Sequence, residues 1–155
     1  MEKKLKIPNV GDKVLLPLLC RTALACMLWP HGAQLLLGIF GGQGYEASMS
    51  FFSSKGHSQV SAFTVIFLQF FGSLLIAIGL YTRVTSVAVC IMVLYISIPH
   101  QLQHGKVISW EGALGKEGTG YHLILMIISL WLAWLGPGRI SLDVFYSKEY
   151  WAMKE

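Results

Sequence analysis

Four long apolar segments, each near the length of a membrane-crossing helix, constrain this chain more than any other feature. They run over about 14–40, 60–81, 84–103 and 119–136. A helix needs about 20 apolar residues to cross the hydrocarbon core of a bilayer, with a range of about 17–25. Because lipid offers no partner to exposed backbone groups, a chain that crosses it in such segments forms helices. The sequence therefore predicts an all-α integral membrane four-helix bundle, in one domain over residues 1–155.

Composition supports this interpretation and removes several classes of protein. Hydrophobic residues make up 54% of the chain and charged residues only 13%, against about 25% charged in soluble domains. The net charge of +4 is dispersed beside the apolar segments, which indicates no nucleic-acid partner. Three cysteines lie inside apolar segments without a C-x-x-C pair, so neither a disulfide framework nor a thiol-pair enzyme is predicted. The bilayer is the expected partner.

Lysine and arginine positions predict the orientation of the bundle. If the N-terminus is cytoplasmic, eight of the twelve basic residues fall on the cytoplasmic side and three on the outer side, with Arg21 inside the first segment. Basic residues near the ends of membrane helices favour the cytoplasmic side. We therefore expect both termini in the cytoplasm. The first segment exceeds signal-peptide length and has no small-residue cleavage pattern, so we expect it to be retained.

Each of the four segments carries one polar side chain in its outer half. At about 1.5 Å per helical residue, these side chains come to similar heights in the bundle. They are His31, Gln69, His100 and His122. Such a layer could bind a quinone, whose carbonyl oxygens accept hydrogen bonds from imidazole, or a metal, since neutral imidazole suits Zn, Cu, Fe or Ni. The alternative is a set of structural histidines that bond to loop carbonyls near the membrane surface.

Two further features extend this candidate site. His100 and His104 are spaced i, i+4 and share a helical face, which predicts a possible metal-binding pair, although Pro99 can break the helix there. Arg21 is the one formal charge inside an apolar segment. Such charges are rare and are commonly functional. Arg21 is therefore included among the candidate binding residues, with snorkelling to the inner surface or pairing with Asp143, Tyr81 or the inner loop as structural alternatives.

Several short motifs together resemble the DoxX family of four-helix bacterial inner-membrane proteins. Arg21 in the first helix and His100 at the end of the third are two of them. The others are "HGAQLLLGIFGGQG" (31–44), "GLYTR" (79–83) and "GPGRISLD" (136–143), of which the last is the most specific. Two positions depart from the family pattern. Gln69 stands where many members have a titratable Glu, and His122 lies close to where many carry an acidic residue.

The resemblance implies a multi-pass protein of the bacterial inner membrane and several possible functions. Some relatives are small subunits of a thiosulfate:quinone oxidoreductase, and others are linked to oxidative or reactive-chlorine stress. The expected function is thus a quinone-linked redox subunit or accessory, working with a membrane or periplasmic redox partner. The alternatives are a non-catalytic anchor or assembly partner of another protein and a small metal-handling transporter. Whether the chain is catalytic, and whether it forms a homo-oligomer, stays open.

Overall fold

The structure, a computed structural model, describes residues 10–104 and 119–152, and side-chain environments within 14–98 and 120–147. These ranges contain helices and no strand, as the sequence predicts. The first helices are α1 (Val10–Leu37) and α2 (Gly44–Ser54). A third helical rod comprises α3 (Gln59–Phe67), a π-helical segment (Leu68–Gly72) and α4 (Ser73–Ile78). The chain continues through α5 (Thr82–His104), α6 (Thr119–Leu135) and α7 (Leu142–Ala152).

Two of these rods have the length and composition of membrane-spanning helices. They cover Val14–Leu37, with a mean hydropathy of 1.4, and Gln59–Ile78, with a mean hydropathy of 2.1. The apolar parts of α5 and α6, Thr82–Ile98 and Gly120–Leu135, are shorter. The chain thus contains candidate membrane helices, as its apolar segments predict.

Large apolar side chains face outward from the helices, whereas small hydroxyl side chains lie inside. The exposed set includes Phe67, Val84, Ile91, Ile127 and Leu130, each at least 46% exposed. The buried hydroxyls are Ser48, Ser73, Thr82, Thr85, Ser86, Ser97 and Ser129. Small residues between helices let their backbones approach closely in lipid. Water would penalise this much exposed apolar surface, so the distribution is that of a protein surrounded by hydrocarbon.

The helix ends meet in two groups. The first, the Arg21 end, joins the early part of α1 to the end of α4, the start of α5 and the loop after α6, through hydrogen bonds of Arg21 and Asp143. The second, the His31 end, joins the later part of α1 to the start of α6, and the start of α3 to the later part of α5. Successive rods therefore run in opposite directions.

A tight turn makes the α4–α5 connection possible. Gly79 has φ +74° and ends α4 in the left-handed conformation, with its N–H bonded to Leu75 and Ile76 carbonyls. Tyr81 also has a positive φ of 50°, which is unfavourable for a residue with a Cβ. This strain is compensated locally, because the Tyr81 N–H donates to a carboxylate oxygen of Asp143 at 2.7 Å.

Candidate functional site

Arg21 connects three chain segments at the Arg21 end. Its Nη1 donates to the carbonyls of Pro137 and Ile140, both at 2.8 Å, and its Nη2 donates to the Ala77 carbonyl at 3.2 Å. The side chain is only 3% exposed. Hydrogen bonds from a charged donor are stronger than neutral ones, so this guanidinium fixes the loop after α6 against α1 and α4. A Cβ at Gly79 would lie 2.4 Å from Nη1, which explains a glycine there.

Asp143 supports the same end from α7. Its two carboxylate oxygens accept the N–H groups of Tyr81 at 2.7 Å and Thr82 at 2.9 Å, and its own N–H donates to the Gly79 carbonyl at 2.9 Å. These two amides lie at the N-terminal end of α5, where a negative charge interacts favourably with the helix dipole. Asp143 thus caps α5 from a distant part of the chain, and it also gives Arg21 a nearby opposite charge.

His31 lies on a stack of rings at the opposite end of α1. Its ring is 5.3 Å from that of Tyr121, at an interplanar angle of 23°. The Tyr121 hydroxyl donates to the Met27 carbonyl at 2.7 Å, one helical turn below His31. His122 follows on α6, 8% exposed, with its ring 5.9 Å from that of Tyr121. Tyr121 therefore holds the two histidines in one layer.

Gln69 joins this layer through a close contact between two backbones. A Cβ at Gly32 would lie 2.5 Å from the Phe70 nitrogen and 2.6 Å from the Gln69 carbonyl carbon. The residue after His31 therefore touches the π-helical segment that carries Gln69. A π turn inside a helix is rare and is frequent at functional sites. Here the π turn lies where Gly32 of α1 contacts the backbone of the α3–α4 rod.

The amide of Gln69 is a buried polar group without a complete set of bonds. Its Oε1 is buried and has no hydrogen-bond partner among the described residues. Buried amides are normally bonded, since an unpaired one costs about 1–3 kcal/mol. At the Arg21 end, Arg21 Nε and the Thr82 and Ser86 hydroxyl oxygens are likewise buried without a partner in the described ranges. Gln69 differs because it lies beside the histidine layer.

The structure thus brings three of the predicted residues, His31, Gln69 and His122, to one level, and places Arg21 elsewhere. Arg21 is ten residues before His31 on α1, about 15 Å along the helix. His100 and His104 lie in the last turns of α5, but their side chains are outside the described residues. The predicted metal pair therefore stays a prediction. Within the described residues, no group of three or more His, Cys, Asp or Glu could hold a metal ion.

Other polar features lie near the His31 end without joining the histidine layer. The His57 Nδ1 and the Tyr95 hydroxyl are 2.6 Å apart, and the Tyr95 hydroxyl donates to Ser61 Oγ at 3.1 Å, which ties α5 to the α2–α3 turn and the start of α3.

An open groove of about 470 Å³ lies along α2 and the start of α3. It is lined by Glu46, Met49, Ser50, Ser53, Ser54 and Gln59. None of the predicted site residues lines it.

Sequence reasoning missed Tyr121 and Gly32. The positions of the histidines and the glutamine along their helices indicated that these side chains lie at a common height. The stacking of His31 on Tyr121 also depends on the orientation of α6 about its own axis relative to α1. Gly32 stands directly after His31 and is the one glycine of the candidate membrane helix Val14–Leu37, and a lone glycine inside a membrane helix is a usable signal for close helix contact. The π-helical turn has no such signal in the sequence.

Comparison with known proteins identifies the family. The sequence model of the DoxX family matches residues 16–100, more than half of the chain. This protein belongs to the DoxX family. The match includes most of α1, all of α2 to α4 and most of α5, and therefore Arg21, His31, Gln69 and His100. No match was found among curated proteins or among solved structures. Family membership and the outward apolar surface together make this a membrane protein in contact with the bilayer.

Proposed function

We propose that this DoxX protein is a four-helix bundle that crosses the bacterial inner membrane four times, with both termini in the cytoplasm. The four rods would be α1, the α3–α4 rod, α5 and α6. Their alternating direction supports this arrangement. The Arg21 end would be cytoplasmic, because Arg83 in the first turn of α5 and Arg139 in the loop after α6 lie at that end, in agreement with the bias of basic residues. The His31 end would then face the periplasm.

We further propose that the chain is a quinone-linked redox subunit, with the quinone ring held at the His31 end. The observation that carries this proposal is the buried Oε1 of Gln69, without a partner in the described residues, on a residue whose backbone contacts Gly32, the neighbour of His31 in the layer of His31, Tyr121 and His122. An amide offers an acceptor and a donor on one carbon. The Oε1 of Gln69 can accept a hydrogen bond from the hydroxyl of a reduced quinone, and its Nε2 can donate to the carbonyl of an oxidised one.

The neighbouring residues have complementary tasks in this proposal. Reduction of a quinone to a quinol takes up two electrons and two protons. The sequence has no haem-attachment motif, flavin motif or thiol pair, so both electrons would come from a partner redox protein or a sulfur-derived donor. Imidazole is the side chain best suited to pass protons near neutral pH, and His31, His100 and His122 would serve the ring from three helices. Tyr121 would orient His31 through its ring.

The decisive experiment measures what the protein carries. The protein would be purified from native membranes in mild detergent, extracted for quinone, and analysed for metals and by absorption spectroscopy. We expect close to one quinone per chain in the unaltered protein, and a large loss in Gln69→Leu and His31→Ala. His57→Ala is the matched control, since His57 binds Tyr95 outside the layer. Loss of quinone in all three variants, or in none, would contradict the proposed site.

The same preparation separates the alternatives. A stoichiometric metal that disappears in His100→Ala and His104→Ala would favour the metal-handling interpretation. A chain without quinone or metal that copurifies with a second protein would favour an anchor or assembly partner. The exposed rings of Phe40 and Phe51 at the His31 end would suit such a partner.

A further inference from the structure

A ladder of phenylalanine rings runs along the outer face of the α3–α4 rod. Phe63, Phe67 and Phe71 are spaced four residues apart and are 49%, 47% and 40% exposed. The ring of Phe67 lies 5.8 Å from that of Phe63 and 4.6 Å from that of Phe71, with interplanar angles of 28° and 34°. Side chains four residues apart share one helix face, so the three rings form a continuous, nearly parallel strip towards lipid.

This phenylalanine ladder continues inward to the candidate site. The ring of Phe71 is 5.0 Å from that of Phe70, nearly perpendicular to it, and Phe70 in turn lies 6.3 Å from the Trp29 ring on α1. Phe70 belongs to the π-helical segment, and its backbone is the one that Gly32 touches. The ladder therefore connects the lipid surface with the seam between α1 and the segment that holds Gln69.

The other lipid-facing surfaces have a different chemistry. On α5 and α6 the exposed side chains are mainly aliphatic: Val84, Val87, Ile91, Leu94, Ile98, Leu123, Ile127 and Leu130. The exposed aromatic residues there have other settings. Tyr95 bonds to His57, and Trp131 and Trp134 lie in the last two turns of α6, towards the Arg21 end. Contact with lipid alone would not require three phenyl rings in contact along one helix and aliphatic side chains on its neighbours.

We propose that the phenylalanine ladder binds the prenyl chain of the quinone whose ring lies at Gln69. The inference rests on the proposed function and adds a second contact to the same site. A prenyl chain has no polar group, so its binding depends on dispersion and on the area that it covers. Phenyl rings offer larger flat faces than aliphatic side chains, so each ring can make more contacts with a chain that lies along it. The chain would lie against the faces of Phe63, Phe67 and Phe71.

Binding of two quinones in nanodiscs tests this proposal. One quinone carries a long prenyl chain and the other has only the ring, and each is titrated as a mole fraction of the lipid. Quenching of tryptophan fluorescence reports binding, since the Trp29 ring lies 6.3 Å from that of Phe70, the neighbour of Phe71 in the ladder. For the double variant Phe67→Ala and Phe71→Ala we expect about tenfold weaker binding of the long-chain quinone and under about twofold change for the ring alone.

Matched variants control for lipid contact and for folding. Val87→Ala with Ile91→Ala removes exposed apolar groups from α5, and should change neither affinity. Phe67→Leu keeps an apolar side chain of similar size without the ring, and should weaken long-chain binding by an intermediate factor. Circular dichroism checks that each variant is helical. A long-chain quinone with a photoreactive group on the chain should label peptides within residues 59–78.

The possible results separate this inference from the proposed function. If the unaltered protein binds the ring-only quinone but the ladder variants bind both quinones normally, the inference is overturned and the quinone site remains. Labelling of the α5 surface, or equal loss of both quinones in the ladder variants, also overturns it. If the unaltered protein binds neither quinone, the proposed function fails and this inference fails with it.

Discussion

Buried polar groups are accommodated differently at the two ends of this membrane protein. At the Arg21 end, two charged side chains are bonded to backbone groups: Arg21 to three carbonyls and Asp143 to two amides. At the His31 end, stacked rings and a close backbone contact hold the helices, and the Gln69 amide keeps an oxygen without a partner in the described ranges. The first arrangement stabilises chain connections. Atoms without a partner in the described ranges occur at the Arg21 end too, on Arg21, Thr82 and Ser86. At the His31 end the unpaired oxygen belongs to an amide on the segment that contacts Gly32, where it could bind a ligand.

This contrast predicts that Arg21→Met reduces stability more than any substitution at the His31 end, whereas substitutions of Tyr121 and Gln69 at the His31 end separate stability from binding. Stability here means the free energy of unfolding in mild detergent, followed by circular dichroism. Binding means quinone retained per chain after purification. The five variants below are ordered by their expected effect on stability.

Replacing Arg21 should have the largest effect. Arg21→Met keeps the apolar stem but removes three charge-assisted bonds and leaves the carbonyls of Ala77, Pro137 and Ile140 unpaired. We expect a loss of about 3–5 kcal/mol in the free energy of unfolding. The exposed Arg139 is the control, since Arg139→Met should change stability by less than about 0.5 kcal/mol. Equal effects of the two substitutions would show that Arg21 does not hold this end together.

Gly32→Ala tests the close contact at the His31 end. The added methyl would meet backbone atoms at 2.5 Å, which cannot rotate away, so α1 and the π-helical segment must separate. We expect a loss of about 2–3 kcal/mol, together with weaker quinone retention. Gly72→Ala is the matched control. Its methyl would meet the Leu68 side chain at 2.9 Å, which can move. If Gly72→Ala costs as much, the Gly32 contact has no special role.

Asp143→Asn tests the cap on α5. Asparagine keeps one acceptor oxygen but loses the negative charge and the second acceptor for the Tyr81 and Thr82 amides. The expected loss is about 1–2 kcal/mol, without an effect on quinone retention. Glu46→Gln, at an exposed acid on α2, should leave the unfolding midpoint unchanged. A loss of quinone in Asp143→Asn would contradict the separation of the two ends.

Tyr121→Phe should have a smaller effect on stability. Phenylalanine keeps the ring that stacks on His31 but loses the hydroxyl bond to the Met27 carbonyl. We expect a loss of about 0.5–1.5 kcal/mol and nearly unchanged quinone retention. Tyr121→Leu also removes the ring and should reduce retention. Tyr146→Phe, at an exposed position, is the stability control. Equal retention in the Phe and Leu variants would argue against a role of the stack in positioning His31.

Gln69→Leu should affect stability least and binding most. Leucine removes a buried amide whose oxygen has no partner in the described residues, so the free energy of unfolding should be unchanged or raised by up to about 1 kcal/mol. Quinone retention should nevertheless be lost. Gln43→Leu, at an exposed position before α2, should retain quinone as the unaltered protein does. A clear loss of stability in Gln69→Leu would indicate that the amide is structural, and would weaken the contrast between the two ends.

The sequence predicted the class of fold because apolar runs and their lengths are local properties. The first and second runs, 14–40 and 60–81, correspond to the candidate membrane helices Val14–Leu37 and Gln59–Ile78. The DoxX family was likewise indicated by short motifs, which are local patterns of residues, and the family model confirms it. A count along each helix brought His31, Gln69 and His122 to a common height, since the rise per residue of a helix is nearly constant.

Tertiary structure decided which groups meet. The same helical count cannot give rotation about the helix axis, and rotation determines that Tyr121 stacks on His31 and that Gly32 touches Phe70. For Arg21, the sequence left two alternatives equally open: snorkelling to the inner membrane surface, or bonding to a partner inside the protein. Its hydrogen-bond acceptors are the carbonyls of Ala77, Pro137 and Ile140, up to 119 residues away in the sequence. These bonds form only when the C-terminal ends of α4 and α6 come together. The apolar runs of the sequence thus determined the helices, while long-range packing decided the bonds of Arg21, the stack on Tyr121 and the contact of Phe70 with Trp29.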